Sequence, residues 1–274
     1  MEFCMPKIVG IVNVTRDSFS DGGLYLQSEK ALGHARHLKG EGADIIELGP
    51  ASTHPDAEQV SPEEELRRLE PLLEALSGQD IPLSIDSYQT QTLRFCAGKE
   101  VGYLNDIQGF PDEALYPDLT DYKGSLITMF AIQGLGKAKR LQTEPHQILE
   151  RMFRFFEERL QAFEKAGISL EKVILDPGMG FFLGSNPETS ILALQQIPRL
   201  KEHFGRPVLI SVSRKSFLGT ITGRPTEQRG ASTLAAECFA AQQGADYIRT
   251  HDPGALKDAL KVYQALYTEI SETR

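Results

Sequence analysis

Short apolar runs alternate along the whole chain with longer segments of helical periodicity. The runs predicted as strands are residues 8–14, 44–49, 82–86, 103–107, 125–130, 172–176, 207–213 and 246–251. Clear helix signals lie between them: 61–76 opens with Ser61 and Glu64 in capping-box spacing, and both 144–167 and 233–244 stop at a glycine. Nearly all-apolar strands alternating with helices are typical of a parallel sheet covered on both faces. We therefore predict a (β/α)8 TIM barrel, one domain spanning residues 1–274.

Polar residues are concentrated where these predicted strands end. They are Asn13, Asp86, Asn105, Asp106, Asp176, Ser213 with Arg214 and Lys215, and Arg249 with His251. A single terminal Asp is explained equally well as a helix N-cap. Repetition over most of the strands instead favours a functional site, because all carboxyl ends of a barrel converge on one face.

The first group of these residues is acidic or amidic: Asp86, Asn105 and Asp176. Buried at a barrel mouth, each needs a hydrogen-bond partner, since an unpaired polar group costs about 1–3 kcal/mol. A flat heterocycle with an amino group and ring nitrogens would satisfy a carboxylate, an amide and Lys215 together. The alternative is a polar network in which these side chains satisfy one another.

The second group is cationic and hydroxylic, comprising Lys215, Arg249 and His251, with Thr53 and His54 from "STHP". It lies largely after strands seven and eight, where barrels often bind phosphate. Arg214 is interpreted as a solvated or structural residue outside the site, and His251 is equally compatible with a structural role. The polar loop 13–23 is either a lid that closes over substrate or an inert flexible loop.

Composition and charge narrow the class of protein. The net charge of −9 argues against a nucleic-acid surface, and no apolar run approaches the length of a membrane span. Three cysteines without metal-ligand spacing indicate reduced thiols, and the N-terminus lacks the pattern of a secretory signal. We therefore expect a cytoplasmic protein.

Seven motifs in order between Gly10 and Asp252 carry a family resemblance. They are "GIVNVTRDSFSDGG", "STHPDA", "SIDS", "NDIQGF", "LDPGMGF", "SVSRKSFLG" and "IRTHD". Together they resemble dihydropteroate synthase, a (β/α)8 enzyme of the folate pathway. "GPASTHPDA", "LNDIQGFPD" and "DPGMGFFLGSNPETS" are similar to the sulfonamide-insensitive Sul branch of that family.

The resemblance implies a reaction and a set of site residues. The reaction joins p-aminobenzoate to 6-hydroxymethyl-7,8-dihydropterin diphosphate, giving 7,8-dihydropteroate and diphosphate. The implied catalytic residues are Asp86, Asp176, Lys215 and Arg249, and the implied pterin ligands are Asp86, Asn105, Asp176 and Lys215. Asn13, Arg249 and His251 match diphosphate-binding positions, with Asn13 also near a Mg²⁺ site. Thr53, Phe181 and Ser216 match the p-aminobenzoate pocket, and a homodimer is implied.

The chain departs from the commoner family pattern in its loops. Arg16 stands where Pro is usual, His54 replaces an Arg that contacts substrate, and Phe130 stands where His is usual. Phe182 and Leu183, before Gly184, resemble an insertion.

We predict that this insertion rejects the bulkier sulfonamide while accepting planar p-aminobenzoate. The alternative is that the two apolar residues only cap the barrel rim. Other readings of the whole chain are a sulfonamide-sensitive enzyme of the same family, a pterin-binding methyltransferase, or a silent pterin-binding protein.

Overall fold

Eight parallel strands form the sheet of the computed structural model, which describes residues 4–14 and 24–267. The strands are β1 (Lys7–Asn13), β2 (Ile45–Gly49), β3 (Leu83–Asp86), β4 (Tyr103–Asp106), β5 (Ser125–Met129), β6 (Val173–Asp176), β7 (Leu209–Ile210) and β8 (Tyr247–Thr250). Their order is β6-β5-β4-β3-β2-β1-β8-β7, and a parallel bridge between Leu175 and Val208 joins the two ends. The sheet is thus a closed barrel, which confirms the predicted TIM fold.

Helices follow the strands and cover the outside of the barrel. They are α1 (Leu24–Gly40), α2 (Pro62–Leu76), α3 (Thr90–Ala97), α4 (Tyr116–Asp121), α5 (Pro145–Lys165), α6 (Pro187–Gln195), α7 (Ile197–Phe204), α8 (Ser216–Thr222), α9 (Gly230–Gln242) and α10 (Pro253–Tyr267). Ser61 caps α2 as predicted, since its Oγ accepts a hydrogen bond from Glu64 N. The Glu64 carboxylate pairs instead with Arg68.

Strand β7 is shorter than the predicted segment 207–213. The chain leaves the ladder after Ile210 because it turns, with Lys215 N donating to Val212 O at 3.1 Å. Beyond the end of the strand, the Ser213 side chain forms a hydrogen bond with His251. This early turn brings Lys215 and Ser216 to the mouth of the barrel.

Alternate residues of each strand point into the barrel, as the period of two requires. The inward residues Val9, Ile45, Ile127, Ile174 and Leu209 pack together as an apolar layer. Their outward neighbours, such as Ile46, pack against the helices. Two residues further along β2, β6 and β8, the inward positions are Glu47, Asp176 and Arg249. The barrel interior therefore changes from apolar to charged toward its carboxyl end.

Several expectations from sequence concern properties other than the barrel. Within the described residues, no helix combines the length and apolar character needed to cross a bilayer. Cys4, Cys96 and Cys238 are free thiols. Most of the predicted lid, residues 15–23 with Arg16, lies outside the described residues.

Candidate active site

Two adjoining cavities open at the carboxyl ends of the strands. The inner slot, about 20 Å³, is lined among others by Asp86, Asn105, Asp176, Lys215 and Arg249. The outer pocket, about 360 Å³, is lined among others by Thr53, His54, Phe181, Ser216, Lys215, Arg249 and His251. Six residues line both: Thr53, Met179, Phe182, Ser211, Lys215 and Arg249. Most of the predicted strand-end residues therefore meet in one continuous site, whereas Asn13 and Asp106 line neither cavity.

The inner slot holds two buried carboxyl groups at the ends of β3 and β6. Asp86 Oδ2 accepts a hydrogen bond from Arg249 Nη2 at 2.8 Å, and burial raises the pKa of Asp86 to about 7 although Arg249 opposes the shift. Asp176 Oδ1 accepts from Gly178 N at 2.8 Å, and burial raises its pKa to about 6. Burial therefore holds the pKa of both carboxyl groups above that of an exposed aspartate.

Lys215 supplies a cation between the slot and the pocket. Its Nζ lies 5.0 Å from the ring centroid of Phe182, within the range of a cation–π interaction. Burial, together with the positive charge of Arg249, lowers the pKa of Lys215 to about 8. The Lys215 ammonium group therefore loses its proton more readily than that of an exposed lysine.

Arg249 spans the inner slot from β8. Its Nε donates to Glu47 Oε1 and its Nη2 to Asp86, while Nη1 lies 3.5 Å from Ser211 Oγ. Two of the three guanidinium nitrogens are therefore bound to carboxylates. Because the guanidinium is committed in this way, its predicted role as a diphosphate ligand stays a prediction.

Glu47 is the principal site residue that sequence reasoning missed. It is fully buried in the barrel and contacts Arg249, Ser84 and Asn105. The polar pattern that indicates the site lies at strand ends, whereas Glu47 lies within β2. The available signal was an acidic residue at the same strand parity as inward-facing Ile45.

His251, which the sequence groups with cationic residues, lies where the charged imidazolium is disfavoured. Burial and the nearby charge of Arg249 lower the pKa of His251 to about 3. Ser213 Oγ lies 2.8 Å from Nδ1 and also accepts from His251 N at 3.3 Å. Since the hydroxyl accepts from the backbone, its proton is available to Nδ1, which favours the tautomer with a proton on Nε2. His251 then offers a neutral N–H donor to a ligand.

The rim of the outer pocket is built from loops. Phe181 is contacted edge-on by His54, with ring centroids 5.8 Å apart, and by Arg140, whose Cζ lies 5.3 Å from the ring centroid. Arg140 also forms a two-point ion pair with Asp56. A backbone hydrogen bond of 3.2 Å from Ala138 N to Thr53 O joins the same two loops. Sequence reasoning missed Arg140, whose loop carries no motif.

The predicted insertion divides into residues with different environments. Phe182 lines both cavities and is 5% exposed, whereas Leu183 is fully buried in the main core. Gly184 adopts φ +105°, and a Cβ there would overlap Thr143 Oγ1 and Leu141 O. Of the predicted insertion, Phe182 therefore faces the site, whereas Leu183 and Gly184 line neither cavity and support the segment. The discriminating role of the insertion stays a prediction.

Two residues that the sequence places outside the catalytic set differ in their positions. Arg214, interpreted as a solvated or structural residue, is exposed and borders the outer pocket. Its backbone adopts φ 58°, a conformation that a non-glycine residue rarely takes and that is often found at functional sites. Phe130, which stands where His is usual in the family, is buried against Phe155 in the core.

Asn13, the predicted metal ligand, is an exposed residue at the end of β1, opposite Gly49 of β2. Across residues 4–14 and 24–267, no group of three or more His, Cys, Asp or Glu side chains is arranged to hold a metal ion. Mg²⁺ commonly uses one or two protein oxygens and completes its shell with substrate phosphates and water. The single carboxamide oxygen of Asn13 fits that mode of binding.

Comparison with known proteins gives matches that extend over almost the whole chain. The family model described as pterin binding enzyme matches residues 9–251. Dihydropteroate synthase type-3 of Escherichia coli is 50% identical over 262 residues, covering 96% of this chain and 100% of that protein.

Solved structures give the same match in three dimensions. The structure of Xanthomonas albilineans dihydropteroate synthase with 4-aminobenzoic acid has a TM-score of 0.88 at 38% identity, covering 97% of this chain and 94% of that one. The structure of the Xanthomonas albilineans enzyme in complex with 7,8-dihydropteroate has a TM-score of 0.84 at 36% identity, covering 98% and 97%.

Proposed function

The chain belongs to the dihydropteroate synthase family, and from that premise we propose how its two cavities divide the reaction. The hydrogen-bonding edge of the 6-hydroxymethyl-7,8-dihydropterin diphosphate ring enters the inner slot, and p-aminobenzoate binds in the adjoining outer pocket. Condensation then gives 7,8-dihydropteroate and diphosphate. Related structures carry 4-aminobenzoic acid and 7,8-dihydropteroate, which supports this pair of ligands.

One observation carries the assignment of the pterin to the inner slot. Asp86 Oδ1 and Asn105 Oδ1 are both buried and have no hydrogen-bond partner among the described residues. Leaving a buried acceptor unpaired costs about 1–3 kcal/mol, so a ligand with N–H donors on one edge is favoured. The 2-amino group and ring N–H of a pterin provide such an edge.

We propose a dissociative reaction in which the C–O bond to diphosphate breaks before the new bond forms. The resulting pterin cation is stabilised by the carboxylates of Asp86 and Asp176, which face the slot. The aniline nitrogen of p-aminobenzoate then attacks the cation from the outer pocket, forming the C–N bond and releasing one proton to the departing diphosphate or to water. Lys215, at the junction of the two cavities, contacts the pterin, and the neutral imidazole of His251 donates a hydrogen bond to the diphosphate.

Mg²⁺ fits this arrangement as a partner of the substrate diphosphate. Asn13 would contribute one oxygen ligand, and the ion when bound would neutralise charge on the departing diphosphate. Diphosphate release measured over a range of Mg²⁺ concentrations, in the parent protein and in Asn13→Ala, tests this. A higher Mg²⁺ requirement in the variant supports the assignment, and an unchanged requirement contradicts it.

The assay that tests the whole proposal is diphosphate release with both substrates. Release that requires p-aminobenzoate is the expected result. Pterin binding without release would favour a methyltransferase or a silent pterin-binding protein. We disfavour the methyltransferase because the site contains a cluster of hydrogen-bond donors suited to diphosphate, namely Lys215, Arg249 and His251.

We further propose that Phe182 makes the enzyme insensitive to sulfonamides. Its ring lies at the junction of the cavities, and its carbonyl accepts a hydrogen bond from Ile132 N at 2.8 Å. Leu183, buried in the core, and the constrained Gly184 hold the segment from the other side. A wall fixed in this way tolerates a planar carboxylate but overlaps a tetrahedral sulfonyl with its substituent.

Sulfonamide inhibition of Phe182→Ala tests this directly. A clash of about 3 kcal/mol corresponds to roughly a hundredfold in the inhibition constant, so the variant should bind the drug more tightly by up to that factor. Phe153→Ala is the matched control, because it removes a partly buried phenylalanine that lines neither cavity and does not support the Phe182 segment. Equal drug sensitivity of the parent and Phe182→Ala would disprove the role of Phe182.

The oligomeric state and the cellular compartment are also part of the proposed function. We propose a homodimer, supported by exposed apolar side chains on the late helices: Phe239 of α9, with Val262 and Leu266 of α10. Sedimentation of the intact protein tests this. Three free thiols favour a reducing compartment, and we assign the enzyme to the cytoplasm.

A further inference from the structure

Glu47 occupies the centre of the charged layer inside the barrel. Its side chain is fully buried, and both carboxylate oxygens are used. Oε2 accepts hydrogen bonds from Ser84 Oγ at 2.9 Å and from Asn105 Nδ2 at 3.1 Å, while Oε1 accepts from Arg249 Nε. This carboxylate thus connects β2 with β3, β4 and β8.

The contact with Asn105 determines which end of that amide a ligand meets. An amide has a donor end and an acceptor end, and Glu47 as a carboxylate is an acceptor only. Turning the amide over would place Asn105 Oδ1 against Glu47 Oε2, so that two acceptors face each other. Glu47 therefore requires Nδ2 to face itself and leaves Oδ1, which has no partner among the described residues, for the inner slot.

The contact with Arg249 has a matching effect on Asp86. Because Glu47 holds Nε, the guanidinium is oriented with Nη2 on Asp86 Oδ2 at 2.8 Å. Asp86 Oδ1 is then left buried and unpaired within the described part of the chain. Asp86 and Asn105 are register partners on adjacent strands, which lie about 5 Å apart. The two free acceptors consequently lie side by side.

We propose that Glu47 is a positioning residue that fixes the donor–acceptor polarity of the inner slot, so that the slot selects a ring edge with two adjacent N–H donors. This rests on the proposed function and deepens it. A 2-amino-4-oxopteridine has such an edge, with an amino group beside a ring N–H. A 2,4-dioxopteridine has a carbonyl oxygen in place of the amino group. That oxygen would face an acceptor of the slot, and two acceptors cannot form a hydrogen bond.

Calorimetric titration of the two pteridines into the purified full chain tests the proposal without relying on turnover. The parent should prefer the 2-amino compound, and Glu47→Gln should lose at least about tenfold of that affinity. The loss is expected because the Gln carboxamide can present its NH₂ to Asn105 or to Arg249, both of which are donors there. Losing one charge-assisted hydrogen bond corresponds to roughly ten- to a hundredfold in binding.

A double variant provides the rescue. In Glu47→Gln/Asn105→Asp, the Gln oxygen accepts from Arg249 and its NH₂ donates to the new carboxylate, whose other oxygen remains an acceptor in the slot. Charge in the site is conserved. Asn105→Asp alone puts two carboxylates face to face and should bind the 2-amino pteridine worse than the double variant.

Glu237→Gln is the matched control, since Glu237 is a buried glutamate that lines neither cavity. It should bind the 2-amino pteridine within about twofold of the parent. Steady-state kinetics add a second readout: KM for the pterin diphosphate should rise in Glu47→Gln while KM for p-aminobenzoate changes little.

Three results would overturn the role of Glu47. The first is an unchanged pteridine preference in folded Glu47→Gln. The second is a double variant that binds the 2-amino pteridine no more tightly than Asn105→Asp does. The third is equal affinity of Asn105→Asp and the parent for that compound. The last comparison keeps Glu47 and so remains decisive if Glu47→Gln does not fold. Failure of the proposed function is distinguishable, because it appears as a parent that binds pteridine but releases no diphosphate.

Discussion

The two parts of the site differ in how the chain builds them. The charged group of the inner slot consists of buried or nearly buried side chains on strands, in which Glu47, Asp86 and Arg249 form continuous ion pairs. The rim of the outer pocket consists of loop residues, where His54, Asp56 and Arg140 are largely exposed. Both regions contain an Arg–Asp pair, yet the surroundings of the two pairs are opposite.

The surroundings of an ion pair determine how much it contributes to the stability of the protein. In the slot, the surrounding protein shields the ion pairs from water, so that removing one partner leaves a buried, uncompensated charge. At the rim, water and salt screen the pair, and its contribution is small. We therefore expect substitutions in the slot to affect folding and turnover together, and substitutions at the rim to affect mainly p-aminobenzoate and drug binding.

The largest expected effect is that of Arg249→Ala. The substitution leaves Glu47 and Asp86 buried without their cation, which typically costs about 3–5 kcal/mol. Turnover should fall by about tenfold or more. Diphosphate release and thermal unfolding measured on the same preparation check this. A variant with the parent's turnover would remove Arg249 from the reaction, and an unchanged melting temperature would refute the description of the slot as a coupled group.

Glu237 is a buried carboxyl group outside both cavities. It lies buried on α9 beside Thr250, and burial raises its pKa to about 8. Since the folded pKa lies above the unfolded value of 4.5, the folded state binds more protons, and stability falls as pH rises between these values. Glu237→Gln stays neutral and should lose less stability over that interval.

Chemical denaturation of the parent and Glu237→Gln at pH 5 and pH 8.5 measures the difference. The free energy of unfolding of the variant relative to the parent should rise between the two pH values, by an amount on the order of a few kcal/mol. A pH-independent difference would show that Glu237 does not titrate in this range.

The smallest expected effect is that of the rim pair Arg140–Asp56. Exposed ion pairs contribute little, so Arg140→Ala and Asp56→Asn should each raise KM for p-aminobenzoate by no more than about threefold. KM for the pterin diphosphate should stay the same. A double-mutant cycle on KM measures the coupling, and a large coupling would mean that the rim behaves like the slot.

The fold and much of the slot were predictable because both follow from local periodicity. Alternating apolar runs and helices indicate the barrel, and the position of Asp176 after "VIL" already indicates an inward carboxyl group at a strand end. The same logic brought Asp86, Asn105, Lys215 and Arg249 together correctly, since parallel strands share one carboxyl edge.

Other features of the site could not be predicted from neighbouring residues along the chain. The contact of Arg140 with Phe181 joins residues on different loops, and no spacing within either loop predicts it. The neutral state of His251 depends on burial and on the charges that the fold gathers around it. Likewise, Phe182 and Leu183 are adjacent apolar residues in the sequence, and only their packing separates a site residue from a core residue.

The sequence by itself determined the family, the barrel and the list of residues that face its mouth. The tertiary structure alone decided the bonding among them: which nitrogens of Arg249 are occupied, which end of Asn105 faces the slot, and that Glu47 arranges both. The physical reason is that periodicity and motifs are properties of neighbours along the chain. Hydrogen-bond direction and pKa instead depend on burial and on groups that only folding brings within a few ångströms.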